Sequence, residues 1–125
     1  MYTVTVERDF VAQHFLTVPD PGPEGDLHSH HYTAKVQLAG PELNEYGYLA
    51  DIDAVTAELD ATVDRYRDAT LNDLPEFEGL NPSLEHFARI FGDRFCEGLD
   101  APAVESATVE LREDEIAWAS HHRED

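Results

Sequence analysis

The stretch that decides the fold of this chain is Leu27–Leu38, which reads LHSHHYTAKVQL. Apolar and polar side chains alternate along its second half, a pattern typical of a strand that is buried on one face. Because alternate side chains of a strand project to the same face, His28 and His30 share one face and His31 projects to the other. Two imidazoles on one face of a strand can share a metal ion.

A third histidine, His14, lies in an earlier apolar segment, residues 10–16, which reads FVAQHFL. If this segment pairs beside the strand that holds His28 and His30, it supplies a third ring nitrogen. Three histidine ligands with an open fourth position are typical of a catalytic zinc site. The alternative is that these are ordinary surface histidines, since short motifs of this kind also occur by chance.

The charge of the chain narrows the classes of partner. Among 125 residues, 27 are acidic and 8 are basic, which gives a formal net charge of −19. Such a field repels nucleic-acid phosphates and anionic membrane surfaces, and this excludes binding to either through a basic patch. Because the acidic residues are spread through every segment, we expect that this protein comes from a halophile.

Length and hydropathy predict one soluble domain. A chain of this size holds one modest core, and no apolar run approaches the roughly 18 residues needed to span a bilayer. The N-terminal segment alternates like a strand and lacks the character of a secretion signal, so we expect a cytoplasmic protein. Cys96, the single cysteine, lies among apolar neighbours in a predicted helix, and we expect it to be a buried small hydrophobe.

Alternation predicts the first two strands, over Tyr2–Phe10 and over Tyr32–Leu38. Residues 18–25, between them, contain three prolines and two glycines, which predicts a loop. Apolar residues then recur at helical spacing, which predicts an amphipathic helix from Asp51 to about Arg67.

The second half of the chain completes the pattern. A second helix is predicted with Asn81 as its N-cap and Pro82 at its first helical position, and Gly98 is expected to stop it. Two further strands are predicted, at about 104–113 and 116–120. The order ββααββ predicts an α+β fold, a four-stranded antiparallel sheet with two helices on one face.

The two histidine segments resemble a known family. Residues 10–16 and 27–32 are similar, in order and spacing, to segments of the 6-pyruvoyl tetrahydropterin synthase family, which includes the 6-carboxytetrahydropterin synthases of queuosine and archaeosine synthesis. The resemblance implies the tunnelling fold (T-fold), in which sheets of several subunits join into a barrel with active sites at subunit interfaces. We therefore expect a homo-trimer or homo-hexamer. The similarity continues through residues 47–52, 71–73, 81–85 and 113–119.

The resemblance also implies the chemistry of the site. It implies one zinc ion per subunit, held by His14, His28 and His30, and a small dihydropterin substrate with a hydroxylated side chain. Glu113 matches the glutamate that anchors the pterin through paired, charge-assisted hydrogen bonds. The alternative is that Glu113 is a solvated surface residue, as most exposed carboxylates are.

Two departures from the family bear on the reaction. The family has a cysteine acting as general base four residues before the His-x-His pair, and Glu24 stands there in this chain. Arg67 and Asp68 stand, in an ungapped comparison, where the family has an Asp-His pair. A carboxylate whose pKa is moved toward neutrality can transfer protons, so Glu24 is a candidate catalytic residue with Asp68 as a candidate partner. Alternatively, Asp68 is a helix-end acid paired with Arg65 or Arg67.

These features predict a zinc-dependent lyase acting on the side chain of 7,8-dihydroneopterin or its triphosphate. A subgroup of the family with glutamate in the cysteine position resembles this chain and releases 6-hydroxymethyl-dihydropterin. The alternatives are a non-catalytic relative that binds metal and pterin, and the usual pyruvoyl or carboxy tetrahydropterin product formed through an altered proton relay.

The distribution of acidic residues generates a prediction about stability. Salt screens the repulsion among carboxylates in the folded state, so the midpoint of thermal unfolding should rise steadily as potassium chloride is raised from dilute buffer to molar concentrations. Circular dichroism at each concentration measures it. An unfolding midpoint that is the same in dilute buffer as at high salt would contradict the halophilic interpretation.

Overall fold

A computed structural model describes residues 1–124 as an antiparallel sheet covered on one face by two helices. The sheet has four strands in the order β1-β2-β3-β4, which confirms the predicted α+β architecture and the order ββααββ. The elements are β1 Tyr2–His14, β2 His28–Gly40, α1 Ile52–Tyr66, α2 Leu84–Gly98, β3 Ser106–Glu113 and β4 Ala117–Glu124. Within residues 1–124, no helix is long and apolar enough to cross a bilayer.

The core lies between the helices and the face of the sheet that carries Phe10 and Tyr32. The rings of these two residues stack at a centroid distance of 5.5 Å, and Phe91 of α2 stacks on Phe10 at 6.0 Å. Phe87 meets the edge of Tyr32 at 5.2 Å, so the aromatic layer is continuous from β1 to α2. Cys96, expected to be buried, is only partly buried and packs against this core.

The first helix forms as its sequence predicts. Asp51 is the N-cap, and its side chain accepts a hydrogen bond from the backbone N–H of Asp53 at 2.9 Å. A carboxylate at this position also interacts favourably with the positive end of the helix dipole. The helix ends at Tyr66, one residue before the predicted boundary.

The predicted start of α2 is wrong by two residues. Ser83, not Asn81, is the N-cap, because the Ser83 hydroxyl accepts the backbone N–H of His86 at 3.1 Å. The Asn81 side chain instead accepts the backbone N–H of Thr17 at 2.9 Å and so ties the loop after β1 to this segment. Pro82 therefore lies before the helix, which leaves its carbonyl free to serve another partner.

The last two strands also differ from the predicted bounds. β3 begins at Ser106, two residues later than expected, and β4 continues to Glu124, well beyond Ser120. The reason is the length of the pairing, which runs from Glu113↔Ala117 to Ser106↔Glu124. A polar C-terminal sequence can form an edge strand when its partner strand supplies the backbone hydrogen bonds.

An ion-pair network links the end of α1 to the segment that follows it. Arg65 donates two hydrogen bonds to the Glu76 carboxylate, at 3.1 and 2.7 Å, and the Tyr66 hydroxyl donates a third at 2.9 Å. The guanidinium of Arg94 lies 3.6 Å from the same carboxylate. The pKa of Glu76 is lowered to about 2, mainly because Arg65 donates hydrogen bonds to its carboxylate.

Replacing Glu76 by Gln should lower the free energy of unfolding at pH 7 by about 1–3 kcal/mol, because it removes the charge that Arg65 grips. The lowered pKa means that the carboxylate contributes fully above its ordinary value of about 4.5. That contribution is lost as the pH falls toward about 2, so the two proteins should converge in acid. Urea unfolding across this range measures the difference.

Glu78→Gln, an exposed position close by in sequence, is the matched control and should leave stability unchanged. A Glu76→Gln protein as stable as the wild type at pH 7 would show that the network contributes nothing to the fold.

Candidate metal centre

The pairing of β1 with β2 brings three histidines together. The antiparallel register sets His14 opposite His28 and Ala12 opposite His30. The ring centroids are 4.6 Å apart for His14 and His28, 5.0 Å for His14 and His30, and 4.7 Å for His28 and His30. One ring nitrogen from each residue lies within 4.8 Å of the other two, which is close enough for all three to bind a single ion.

Backbone carbonyls orient two of these rings. Nδ1 of His14 lies 3.0 Å from the carbonyl oxygen of Pro82, and Nδ1 of His28 lies 2.8 Å from the carbonyl oxygen of Asp26. A carbonyl can only accept, so each Nδ1 carries the proton and donates it. The lone pair of each neutral ring is therefore on Nε2.

A carboxylate orients the third ring. Nδ1 of His30 contacts Oδ2 of Asp114, and the same logic leaves Nε2 of His30 unprotonated in the neutral ring. Within residues 1–124, Nε2 of His28 and Nε2 of His30 are buried without a hydrogen-bond partner. Nε2 of His30 also lies 3.3 Å from Oε1 of Glu113, a contact that is an ion pair only when the ring is protonated. Buried polar atoms are almost always satisfied, so two nearby ring nitrogens that make no hydrogen bond indicate a ligand between them.

These residues fit a zinc ion. Metal-binding histidines typically donate their second ring nitrogen to a carbonyl or carboxylate, which fixes the tautomer and the ring orientation. Burial, with smaller contributions from His28 and His30, lowers the pKa of His14 to about 4. His14 is therefore neutral at pH 7, and its lone pair is available to a metal.

His14, one of the three histidines, lines a cleft of about 210 Å³. Glu24 reaches this cleft from the turn Gly22–Gly25, whose position is held by a 2.9 Å hydrogen bond from the Leu16 N–H to the Glu24 carbonyl. Glu113 reaches it from the end of β3, next to β2. The lining is completed by His14, Leu16, Asn81, Ser83, Leu84 and Glu85.

Two of the three carboxylates that line the cleft, Glu24 and Glu113, interact electrostatically with the histidines. The pKa of Glu113 is raised, mainly because the carboxyl group is partly buried. The nearby charges of Asp114 and Glu24 raise it further, whereas His30 lowers it. Glu24 also raises the pKa of His14 slightly against the effect of burial. A carboxylate that is held partly desolvated beside a metal-competent cluster can accept hydrogen bonds from a bound ligand.

Asp68 is not part of this cleft. It follows α1 in a left-handed conformation with φ of 59°, and its N–H donates to the Val11 carbonyl at 2.7 Å. The alternative pairings with arginine are not seen either, because Arg65 binds Glu76 and Arg67 binds Asp64 at 2.9 Å. A proton-transfer role for Asp68 stays a prediction without a supporting contact.

Several residues that build the site escaped the sequence reasoning. The carbonyls of Pro82 and Asp26 act through the backbone, which leaves no trace in side-chain chemistry. The Asn72 side chain makes two hydrogen bonds with the backbone of Phe15: its oxygen accepts from the Phe15 N–H at 3.0 Å, and its nitrogen donates to the Phe15 carbonyl at 2.9 Å. These bonds fix the chain just after His14. Asp114, which contacts His30, was also missed, although its place directly after Glu113 in the sequence could have indicated that it lies near the site.

Comparison with known proteins agrees with this geometry. Residues 3–124 match the model of the family described as 6-pyruvoyl tetrahydropterin synthase. This chain belongs to that family. The family and the fold together support a pterin-processing lyase. No curated protein matches the sequence.

Solved structures share the fold at low sequence identity. The 6-pyruvoyl tetrahydropterin synthase of Caenorhabditis elegans is 22% identical, with a TM-score of 0.81 over 98% of this chain and 97% of that chain. The enzyme from Plasmodium vivax is 16% identical, with a TM-score of 0.82 over 99% and 98%. Two further P. vivax structures, each 18% identical, are variants in which a glutamate described as a catalytic residue is replaced by alanine or by cysteine.

The geometry of the three rings generates a metal-binding prediction. Wild-type protein dialysed against zinc should retain one ion per chain. His28→Ala should weaken zinc binding by more than about 100-fold, because losing a ligand costs more than losing one of the residues that orient it. Plasma mass spectrometry after dialysis against a weak chelator measures the content.

His31→Ala is the matched control, because His31 belongs to the same strand but lies beside Asp9 on the opposite face of the sheet. It should keep its zinc. Equal loss in the two variants would mean that the ion binds elsewhere or that β2 itself is damaged.

Proposed function

We propose that this protein is a zinc-dependent lyase that acts on the side chain of 7,8-dihydroneopterin or its triphosphate. The observation that carries the proposal is the convergence of three imidazoles, each oriented by an acceptor on Nδ1, at a cleft lined by Glu24 and Glu113. Family membership supports the pterin substrate.

In this proposal His14, His28 and His30 hold one zinc ion per subunit. The ion supplies Lewis acidity toward substrate hydroxyl groups when it is bound. The three rings are neutral ligands, so they leave the full charge of the ion directed at the substrate. The hydrogen bonds of His14 to Pro82, of His28 to Asp26 and of His30 to Asp114 keep that geometry fixed before the substrate arrives.

Glu113 anchors the pterin. The guanidine-like edge of a pterin presents two adjacent N–H donors, and a carboxylate accepts both with charge-assisted hydrogen bonds. Glu113 is partly buried in the cleft, and this burial is the largest cause of the rise in its pKa. Two N–H donors from the pterin would stabilise the carboxylate and hold the ring in one orientation.

Glu24 is proposed as the proton-transfer group. It lies in the same cleft as Glu113 and is near enough to His14 to affect its pKa, so it can reach a substrate bound at the metal. The catalytic glutamate of the P. vivax enzyme supports a carboxylate in this role. An exposed turn position allows Glu24 to exchange its proton with solvent between turnovers.

The proposal predicts the behaviour of Glu24→Gln. Removing the general base should lower kcat by about 100-fold or more while zinc content and pterin affinity stay unchanged. Steady-state assays with dihydroneopterin and with its triphosphate, analysed by mass, measure the effect and identify the product.

Glu85→Gln is the matched control. Glu85 lines the same cleft from the exposed first turn of α2, so its loss removes a comparable charge without touching the proposed machinery. It should turn over like the wild type. Full activity in Glu24→Gln would remove Glu24 from the mechanism.

A second candidate function is a non-catalytic protein that binds metal and pterin. The observation that favours it is Asp68, which takes the place of part of the family's Asp-His pair yet lies outside the cleft. This candidate predicts stoichiometric binding of zinc and pterin with no product. If product forms, 6-hydroxymethyl-dihydropterin would indicate side-chain cleavage, and a pyruvoyl or carboxy tetrahydropterin would indicate the usual family reaction.

The assembly and the cellular setting are also part of the proposal. We propose a cytoplasmic homo-trimer or homo-hexamer from a halophile. The assembly is supported by the open edges of the sheet, since β1 and β4 each pair with one strand only within residues 1–124. The net charge of −19 supports the halophilic setting.

A further inference from the structure

We infer that Asp114 is a positioning residue that sets the orientation and basicity of His30, and that it makes His30 the ligand on which the strength of the metal site depends. The inference rests on the proposed metal centre.

Asp114 is fixed to β2 by three contacts. One carboxylate oxygen, Oδ2, contacts Nδ1 of His30, and the other, Oδ1, accepts the backbone N–H of His31 at 2.9 Å. The backbone N–H of Asp114 donates to the His31 carbonyl at 2.8 Å. The carboxylate therefore has little freedom to rotate away from His30.

The turn that carries Asp114 is of a kind that accepts aspartate at this position. Asp114 and Glu115 are the two central residues of a turn in the three-residue connection between β3 and β4, and a 3.0 Å hydrogen bond from the Ile116 N–H to the Glu113 carbonyl closes this turn. Their φ values are 54° and 71°, and such turns favour Asn or Asp at the first position and Gly at the second. Aspartate therefore suits position 114, where the turn directs its carboxylate toward His30.

Asp114 is also the only ionised acceptor among the three that orient the rings. His14 and His28 donate to neutral carbonyls, whereas His30 donates to a carboxylate. A charge-assisted hydrogen bond is stronger, and a carboxylate behind an imidazole makes that ring a better ligand. His30 is the one ligand of the three whose partner can be changed by substituting a side chain.

Asp114→Asn tests the inference with little change in shape. Asparagine suits the left-handed turn at least as well as aspartate, so the hairpin should be preserved. We expect the zinc dissociation constant, measured by chelator competition, to rise about 10–100-fold. In the zinc-free protein, nitrogen NMR should show the His30 proton on Nδ1 in the wild type and divided between both ring nitrogens in the variant.

Two further variants separate positioning from effects on the hairpin. Glu115→Gly relieves the same turn without touching His30, and its zinc affinity should equal that of the wild type. Asp114→Gly also adopts the left-handed turn freely and should lose at least as much zinc affinity as Asp114→Asn, so the test stands even if one variant folds poorly.

The outcomes distinguish this inference from the proposed function. Zinc affinity in both Asp114 variants equal to that of the wild type, or an equal loss in Glu115→Gly, would overturn the positioning role and leave the metal centre intact. A wild-type protein that binds no zinc would overturn the metal centre and this inference together.

Discussion

The register between β1 and β2 is the constraint on which the rest of the structure depends. Setting His14 opposite His28 also puts Ala12 opposite His30, and it aligns Phe10 with Tyr32 in the core. Side chains alternate with a period of two, so a shift of one residue would move every core residue of one strand to the other face. The apolar core and the cluster of three histidines are thus selected by the same pairing.

Segments outside the sheet fix the orientation of the histidines that the sheet brings together. The loop before α2 orients His14 through the Pro82 carbonyl, while Asn72 and Asn81 hold the chain just after His14. His30 lies next to Tyr32, with ring centroids 6.0 Å apart, so the histidine cluster borders the aromatic core. Burial also lowers the pKa of His14 to about 4, which keeps that ring neutral at pH 7.

Much of the fold could be predicted from the spacing of apolar residues, and the clustering of the three histidines followed from strand alternation together with the assumed pairing of β1 and β2. The exact start of α2 and the residues that surround the histidines depend on tertiary contacts, which the conformational preferences of single residues do not predict. Asn81 and Ser83 are both good N-caps, and a tertiary bond to Thr17 decided between them. Likewise, apart from its place directly after Glu113, nothing in the sequence distinguishes Asp114 from the rest of the 27 acidic residues, because only the β3–β4 turn places it beside His30. Asp68 aligns with part of the family's Asp-His pair, yet the fold places it outside the cleft.

The central claim is that three imidazole nitrogens of one chain converge on a single divalent ion. X-ray absorption at the zinc edge of the zinc-loaded protein tests it most directly. The account predicts three imidazole nitrogens at about 2.0–2.1 Å with one further oxygen from water or substrate. Fewer than three imidazoles in the first shell, or sulfur scattering that would place the ion at Cys96, would contradict it.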